Sequence, residues 1–175
     1  ALARRSLMLL PREVMMPRLC DSRIGTVPVA FVKFSDREQE AKAVYYACRW
    51  NLKPSDPAAF AAGKLTTPER PIVFYVDDTF PAGWYDAIRR GLLSWNAAFE
   101  KIGYRDAVQG RPYPRDDASF DPNDIKFSCV KYANTMGESL SSSARIDPRS
   151  GEILSATICI PHNVTSRIRT DLFVQ

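Results

Sequence analysis

The run Ile72-Val73-Phe74-Tyr75-Val76 constrains this chain most. Five successive apolar residues between Pro71 and Asp77-Asp78 fit a strand covered on both faces. The next segment of the chain supplies a cover. After Pro81, the residues Trp84, Ile88, Leu92, Trp95, Phe99 and Ile102 recur at steps of 4, 4, 3, 4 and 3, which is one face of a long helix. Gly103 is placed to stop it in a left-handed cap. A strand backed by an amphipathic helix predicts a sheet with the helix packed on it. Trp95 is therefore expected between helix and sheet. Gly83 and Gly91 each weaken the helix by about 1 kcal/mol relative to Ala. Gly91, near the apolar face, is expected to let the helix approach the sheet closely.

Other strands are legible around this unit. Gly25–Phe34 reads as one, with Pro28 favouring an edge or a strand start. Asp36–Ala41 is charged and reads as a connector. Val44–Leu52 alternates, with Val44, Tyr46, Cys48, Trp50 and Leu52 on an apolar face. Asp56, Pro57 and Gly63 mark the cap, first turn and end of a short helix. Thr66-Thr67-Pro68-Glu69-Arg70-Pro71 reads as a linker, which divides the chain into residues 1–66 and 67–175. Tyr104–Asn123 reads as a polar loop and Ile125–Tyr132 as a strand. Asp147-Pro148 and Gly151 mark a hairpin turn, with Gly151 at its positive-φ exit. The second hairpin strand, Ile153–Ile160, puts Leu154, Ala156, Ile158 and Ile160 on the core side.

Composition excludes several classes. With 175 residues, 45% hydrophobic and 25% charged, the chain is one domain of ordinary size or two small ones, not a disordered segment. No apolar run approaches the ~20 residues of a membrane-spanning helix. The start, Ala1–Pro11, is too short in its apolar part for a secretion signal. No initiator Met is present, and Asp171-Leu172-Phe173-Val174-Gln175 breaks off within an apolar stretch, so the chain reads as a piece of a longer protein. Residues 1–64 carry 11 Lys or Arg against 6 Asp or Glu, and residues 65–175 carry 13 against 14. The basic excess lacks the aromatic-interleaved stripe of a nucleic-acid binder and reads as a solvated surface.

One count restricts the chemistry. His162 is the single histidine, so neither a two-His zinc site nor the helical HExxH pair can be completed within these residues. Cys20, Cys48, Cys129 and Cys159 form no CxxC pair. They permit two disulfides, but buried thiols are the favoured reading. A Cys159–His162 catalytic pair is disfavoured, since sequence proximity is all that recommends it. Asp77-Asp78 reads as a cap for the following helix rather than an acid–base pair. Asp116, Asp117, Asp121 and Asp124 miss the spacing of a calcium loop and read as solvated. Ser141-Ser142-Ser143 lacks a GxSxG context and reads as a polar strand edge. Asn163-Val164-Thr165 matches a glycosylation sequon, which alone is a weak signal. The residues by themselves give an α+β sheet protein without a visible active site.

Several blocks, taken in order, resemble one family. They are Met16-Pro17-Arg18-Leu19-Cys20-Asp21-Ser22-Arg23-Ile24-Gly25, Tyr46-Ala47-Cys48-Arg49-Trp50, Pro71–Val76 with Trp84, Trp95–Tyr104, Asp124–Tyr132 and Ile146–Leu154. Across residues 16–164 the chain resembles the large bacterial zinc-dependent metalloproteases of the met-zincin type, abundant in Bacteroidetes. The resemblance implies an α+β fold: a twisted mixed sheet with one long backing helix, the N-terminal half of a zincin-like fold, preceded by a small β-rich segment. It implies zinc in the intact enzyme, with the HExxHxxGxxH motif beyond Gln175, and no catalytic or metal residue in this chain. It also implies an antiparallel edge strand that pairs with an extended peptide or protein substrate, identified with Ile153, Leu154, Ser155, Ala156, Thr157, Ile158, Cys159 and Ile160. Such pairing draws affinity from main-chain hydrogen bonds. The missing C-terminal catalytic subdomain is then a partner, and a homodimer through the exposed edge, or through Leu172–Val174, is expected of the isolated chain. The implied location is periplasmic, outer-membrane-attached or secreted. The alternative is a non-catalytic protein- or peptide-binding module.

Overall fold

A computed structural model describes residues 3–35, 38–137 and 139–174. The fold is α+β, with a two-stranded ribbon and a mixed five-stranded sheet. The chain falls into two compact units, residues 1–51 with 144–155, and residues 52–143 with 156–175.

In the first unit, β1 (Pro28–Ser35) and β2 (Glu38–Ala47) pair antiparallel, with Phe31 opposite Val44 and Pro28 opposite Ala47. Phe31 and Tyr46 rings lie 4.9 Å apart, a cross-strand aromatic contact of the ribbon. The charged stretch read as a connector is strand from Glu38 onward. An isolated ribbon needs no alternation there, and residues 40–43 are all exposed. Strand β2 also stops at Ala47, five residues before the expected end at Leu52. Around the ribbon, Leu19 bridges Tyr46, Cys20 N–H donates to Tyr45 O, and Ala47 N–H donates to Arg18 O.

The second unit begins with α1 (Pro57–Ala61). Asp56 caps it by accepting from Ala59 N–H at 2.9 Å. Residues 52–66, expected before the boundary, group with this unit. Pro54 bridges Pro68, Thr66 bridges Tyr104, and Tyr104 Oη donates to Leu52 O. Strand β3 (Ile72–Val76) buries Ile72, Phe74 and Val76 on one side. Its half-buried Tyr75 packs against Phe120 and Phe127 on the other, which explains the unbroken apolar run.

The helical segment is α2 (Trp84–Ser94) followed by α3 (Asn96–Glu100). Trp95, expected inside, is 64% exposed. The inward face is Trp84, Ile88, Leu92, Asn96 and Phe99. Asn96 displaces Trp95 because its amide clamps the next strand: Asn96 Nδ2 donates to Val108 O at 2.9 Å, and Val108 N–H donates to Asn96 Oδ1 at 2.8 Å. Gly91 faces solvent with nothing within 4 Å of a Cβ placed there. The close approach is at Gly110, where a Cβ would lie 3.3 Å from Arg89 Cγ.

Strand β4 (Val108–Pro112) lies within the stretch read as a loop. It contains Gly110 and Pro112 and occupies one edge of the sheet, where such residues are tolerated. Strands β5 (Ser128–Ala133), β6 (Ser141–Asp147) and β7 (Glu152–Pro161) complete the order β4-β3-β5-β7-β6. Strand β3 is parallel to both β4 and β5, and β5 is parallel to β7. Four residues join β6 to β7, too few for a parallel crossover, so the two form an antiparallel hairpin. The final helix, α4 (Val164–Val174), buries Val164 and leaves Leu172, Phe173 and Val174 exposed.

Candidate functional site

The segment Ile153–Ile160 lies within β7, which has β5 on one side and β6 on the other. From Thr157 onward its main chain is paired with β5. Cys129 is paired with Thr157, Val130 with Ile158, Lys131 with Cys159 and Tyr132 with Ile160. Of the expected edge residues Ile153, Leu154, Ser155, Ala156, Thr157, Ile158, Cys159 and Ile160, the last four are paired with β5, and the strand order places their strand between two others rather than at an edge. A dimer through this strand would need the side of Thr157–Ile160 that β5 already occupies. The sheet's outer strands are β4 and β6. Of these, β6 joins its neighbour antiparallel and presents exposed Ser141, Ser142, Ser143 and Ala144. The reading of Ser141-Ser142-Ser143 as a polar strand edge holds.

The hairpin turn is built by its own side chains. Asp147 is fully buried. Its carboxylate accepts from Arg149 N–H at 2.9 Å, Arg149 Nε at 2.9 Å and Arg149 Nη2 at 2.6 Å. The Arg149 side chain is the chief reason the Asp147 carboxyl sits below the usual aspartate range; burial opposes it, and the Arg149 N–H adds to it. Ser150 and Gly151 N–H both donate to Asp147 O, and Gly151 closes the turn at φ +77°. The sequence marks this turn but points to no more than a turn-starting role for Asp147. Its complete burial could not be inferred from the dipeptide.

A second feature is an apolar cavity of about 340 Å³ in the second unit, lined by Trp84, Ile88, Leu140, Ile160, Val164 and Ile168 among others. The same part of the fold holds an aromatic cluster. Tyr132 Oη and His162 Nδ1 are 2.7 Å apart. The His162 ring stacks on Trp84 at 6.1 Å and 11°, and Phe80 packs on Tyr132 at 5.3 Å. His162 is thus engaged through Tyr132 rather than Cys159. Periodicity could not reveal this cluster, which depends on β5 and β7 being neighbours.

Asp77, Asp78, Asp117, Asp121 and Asp124 are each engaged by a donor. Asp77 Oδ1 accepts from Thr79 N–H and Oγ1, and its Oδ2 accepts from Tyr132 N–H. Asp78 pairs with Arg115. Asp117, Asp121 and Asp124 each accept from a backbone N–H two residues on, the geometry of local turns. No three His, Cys, Asp or Glu side chains come together to hold a metal among the described residues. The four cysteines form no disulfide with one another. Burial pushes the Cys48 thiol up, away from the reactive thiolate. Tyr113 is likewise pushed up, first by burial and then by Cys129 and Asp77. No helix among the described residues is long and apolar enough to cross a membrane.

Residues 1–55 match the sequence model of a domain of unknown function, DUF5117. No curated protein and no solved structure matches the chain. The DUF5117-like stretch comprises the ribbon and the segment leading to Ser55. It stops short of β3, β5, β6 and β7, so the large sheet lies outside the match.

Proposed function

We propose that this chain is part of a zinc-dependent metallopeptidase, to which it contributes a sheet scaffold and an outer strand for pairing with an extended peptide. The observation that carries the reading is the place of β6: the outer strand of a mixed sheet, antiparallel to its one neighbour, with a small polar face from Ser141 to Ala144. An extended peptide added there would gain main-chain hydrogen bonds along one side, and the small side chains would leave room for its own. The pairing role moves from Ile153–Ile160 to Ser141–Asp147. The resemblance in the ordered blocks from Met16 to Leu154 supports the reaction class. It equally supports a location in the periplasm, on the outer membrane or outside the cell.

The residues present do not fit zinc. His162 is the only histidine, and its Nδ1 is engaged by Tyr132. In this reading the metal is held by residues outside 1–175, and the hydrolytic step belongs to them. This chain's part is to bind and align the peptide.

The test is hydrolysis of an unstructured protein such as casein by the full-length protein. Cleavage abolished by a chelator and restored by zinc is the expected result. Peptide binding without cleavage at any zinc concentration would favour the non-catalytic binding module.

A further inference from the structure

The first compact unit is discontinuous. It combines residues 1–51 with the hairpin segment 144–155, nearly 100 residues downstream. The connection is specific on both sides. Arg49 uses its N–H to donate to Gly151 O at 3.0 Å, and its carbonyl accepts from Ile153 N–H at 2.9 Å. That is a parallel bridge between Arg49 and Glu152. Asn51 Nδ2 donates to Glu152 Oε1 at 3.1 Å. Arg149, whose fork already holds Asp147, donates from Nη2 to Pro11 O at 2.9 Å. Arg49 Nη2 in turn donates to Met16 O, so one arginine holds the hairpin by its main chain and the upstream segment by its side chain.

Shape agrees with the bonds. A Cβ on Gly151 would stand 2.5 Å from Ala47 O, well inside contact distance, so only glycine lets the turn seat against the ribbon. The contact is also buried and polar. Asp147 and Ser150 are fully buried, and Glu152 is 9% exposed. Burial and then the Arg18 charge push the Arg49 guanidinium down from its usual value, and the Glu152 charge opposes them. Buried polar groups of this kind are stable only while their partners stay in place.

We propose that residues 1–51 are an interaction surface whose partner is a β-hairpin with a locked Asp-Pro-Arg-Ser-Gly-Glu turn, supplied by this chain at 147–152. The segment matched by the DUF5117 model is then an incomplete module, and the hairpin completes it. This inference stands apart from the peptidase reading and does not use it.

Hydrogen exchange on the full chain tests it, with three amides as probes. Arg49 and Ile153 report docking, and Asp77, which donates to Val130 O in the large sheet, reports global folding. Asn51→Ala removes the bond to Glu152 from the segment's side and leaves the turn's own bonds intact. Gly151→Ala blocks the seat. In both variants Arg49 and Ile153 are expected to exchange together and about tenfold or more faster, while Asp77 keeps its wild-type rate. Wild-type rates at Arg49 and Ile153 in both variants would overturn the proposal. Equal acceleration at Asp77 would overturn it too, because docking would then not be separable from folding.

Discussion

Asp147 shows how much a single side chain decides in this fold. Its carboxylate is buried and held by three donors of Arg149, so its folded-state pKa lies below the ordinary aspartate value. The unfolded value is about 3.9. A depressed folded value means the ionised form is favoured by folding, so this stability is present above about pH 3.9 and is lost as pH falls through the lower folded value. A carbon-detected titration of the Asp147 carboxyl is expected to give a midpoint below about 3.9, and a midpoint at or above it would mean that Arg149 does not hold the carboxylate. Gly91 makes the opposite case. It lies in α2 with nothing within 4 Å of a Cβ and without a positive φ. Gly91→Ala should therefore stabilise the chain by up to about 1 kcal/mol. A lowered melting temperature would show that the position has a contact the fold does not reveal.

At the scale of elements, the apolar run of β3 and the Asp147–Gly151 turn were legible because each has a local cause: contiguous burial in one, a positive-φ glycine in the other. The inward face of α2 and α3 was legible only in part. Periodicity chose Trp95 because hydrophobicity was the only signal available. Asn96 prevails because β4 leaves the Val108 N–H and C=O to be satisfied, and that requirement is invisible without the tertiary neighbour. Strand β4 was missed for a related reason, as an edge strand with Gly110 and Pro112 carries almost no strand signal. Chemical denaturation can decide between the two residues. Trp95→Ala should cost less than about 0.5 kcal/mol, as exposed substitutions do. Asn96→Ala should cost about 1–3 kcal/mol, because it strands two backbone groups. The reverse order would mean that the helix face is wrongly placed.

For the whole molecule, the α+β class followed from local pattern, but the strand order did not. Nothing in Ile153–Ile160 alone says whether it lies at an edge; an apolar strand of that length is in fact better suited to an interior place, where both of its sides are paired. The polar Ser141–Ala144 stretch is better suited to the outside. The role proposed for β6 is that of a peptide-pairing edge. In an antiparallel pair, N–H groups along a strand point alternately toward the partner and away from it. Proline placed singly at Ser141, Ser142 and Ser143 of the full-length protein removes these donors one at a time. The affinity for an extended peptide is then read alongside the melting temperature of each variant. Alternation is expected: at outward positions peptide binding falls while stability holds, and at inward positions stability falls. Peptide affinity unchanged by proline at all three positions would mean that β6 is not the pairing edge.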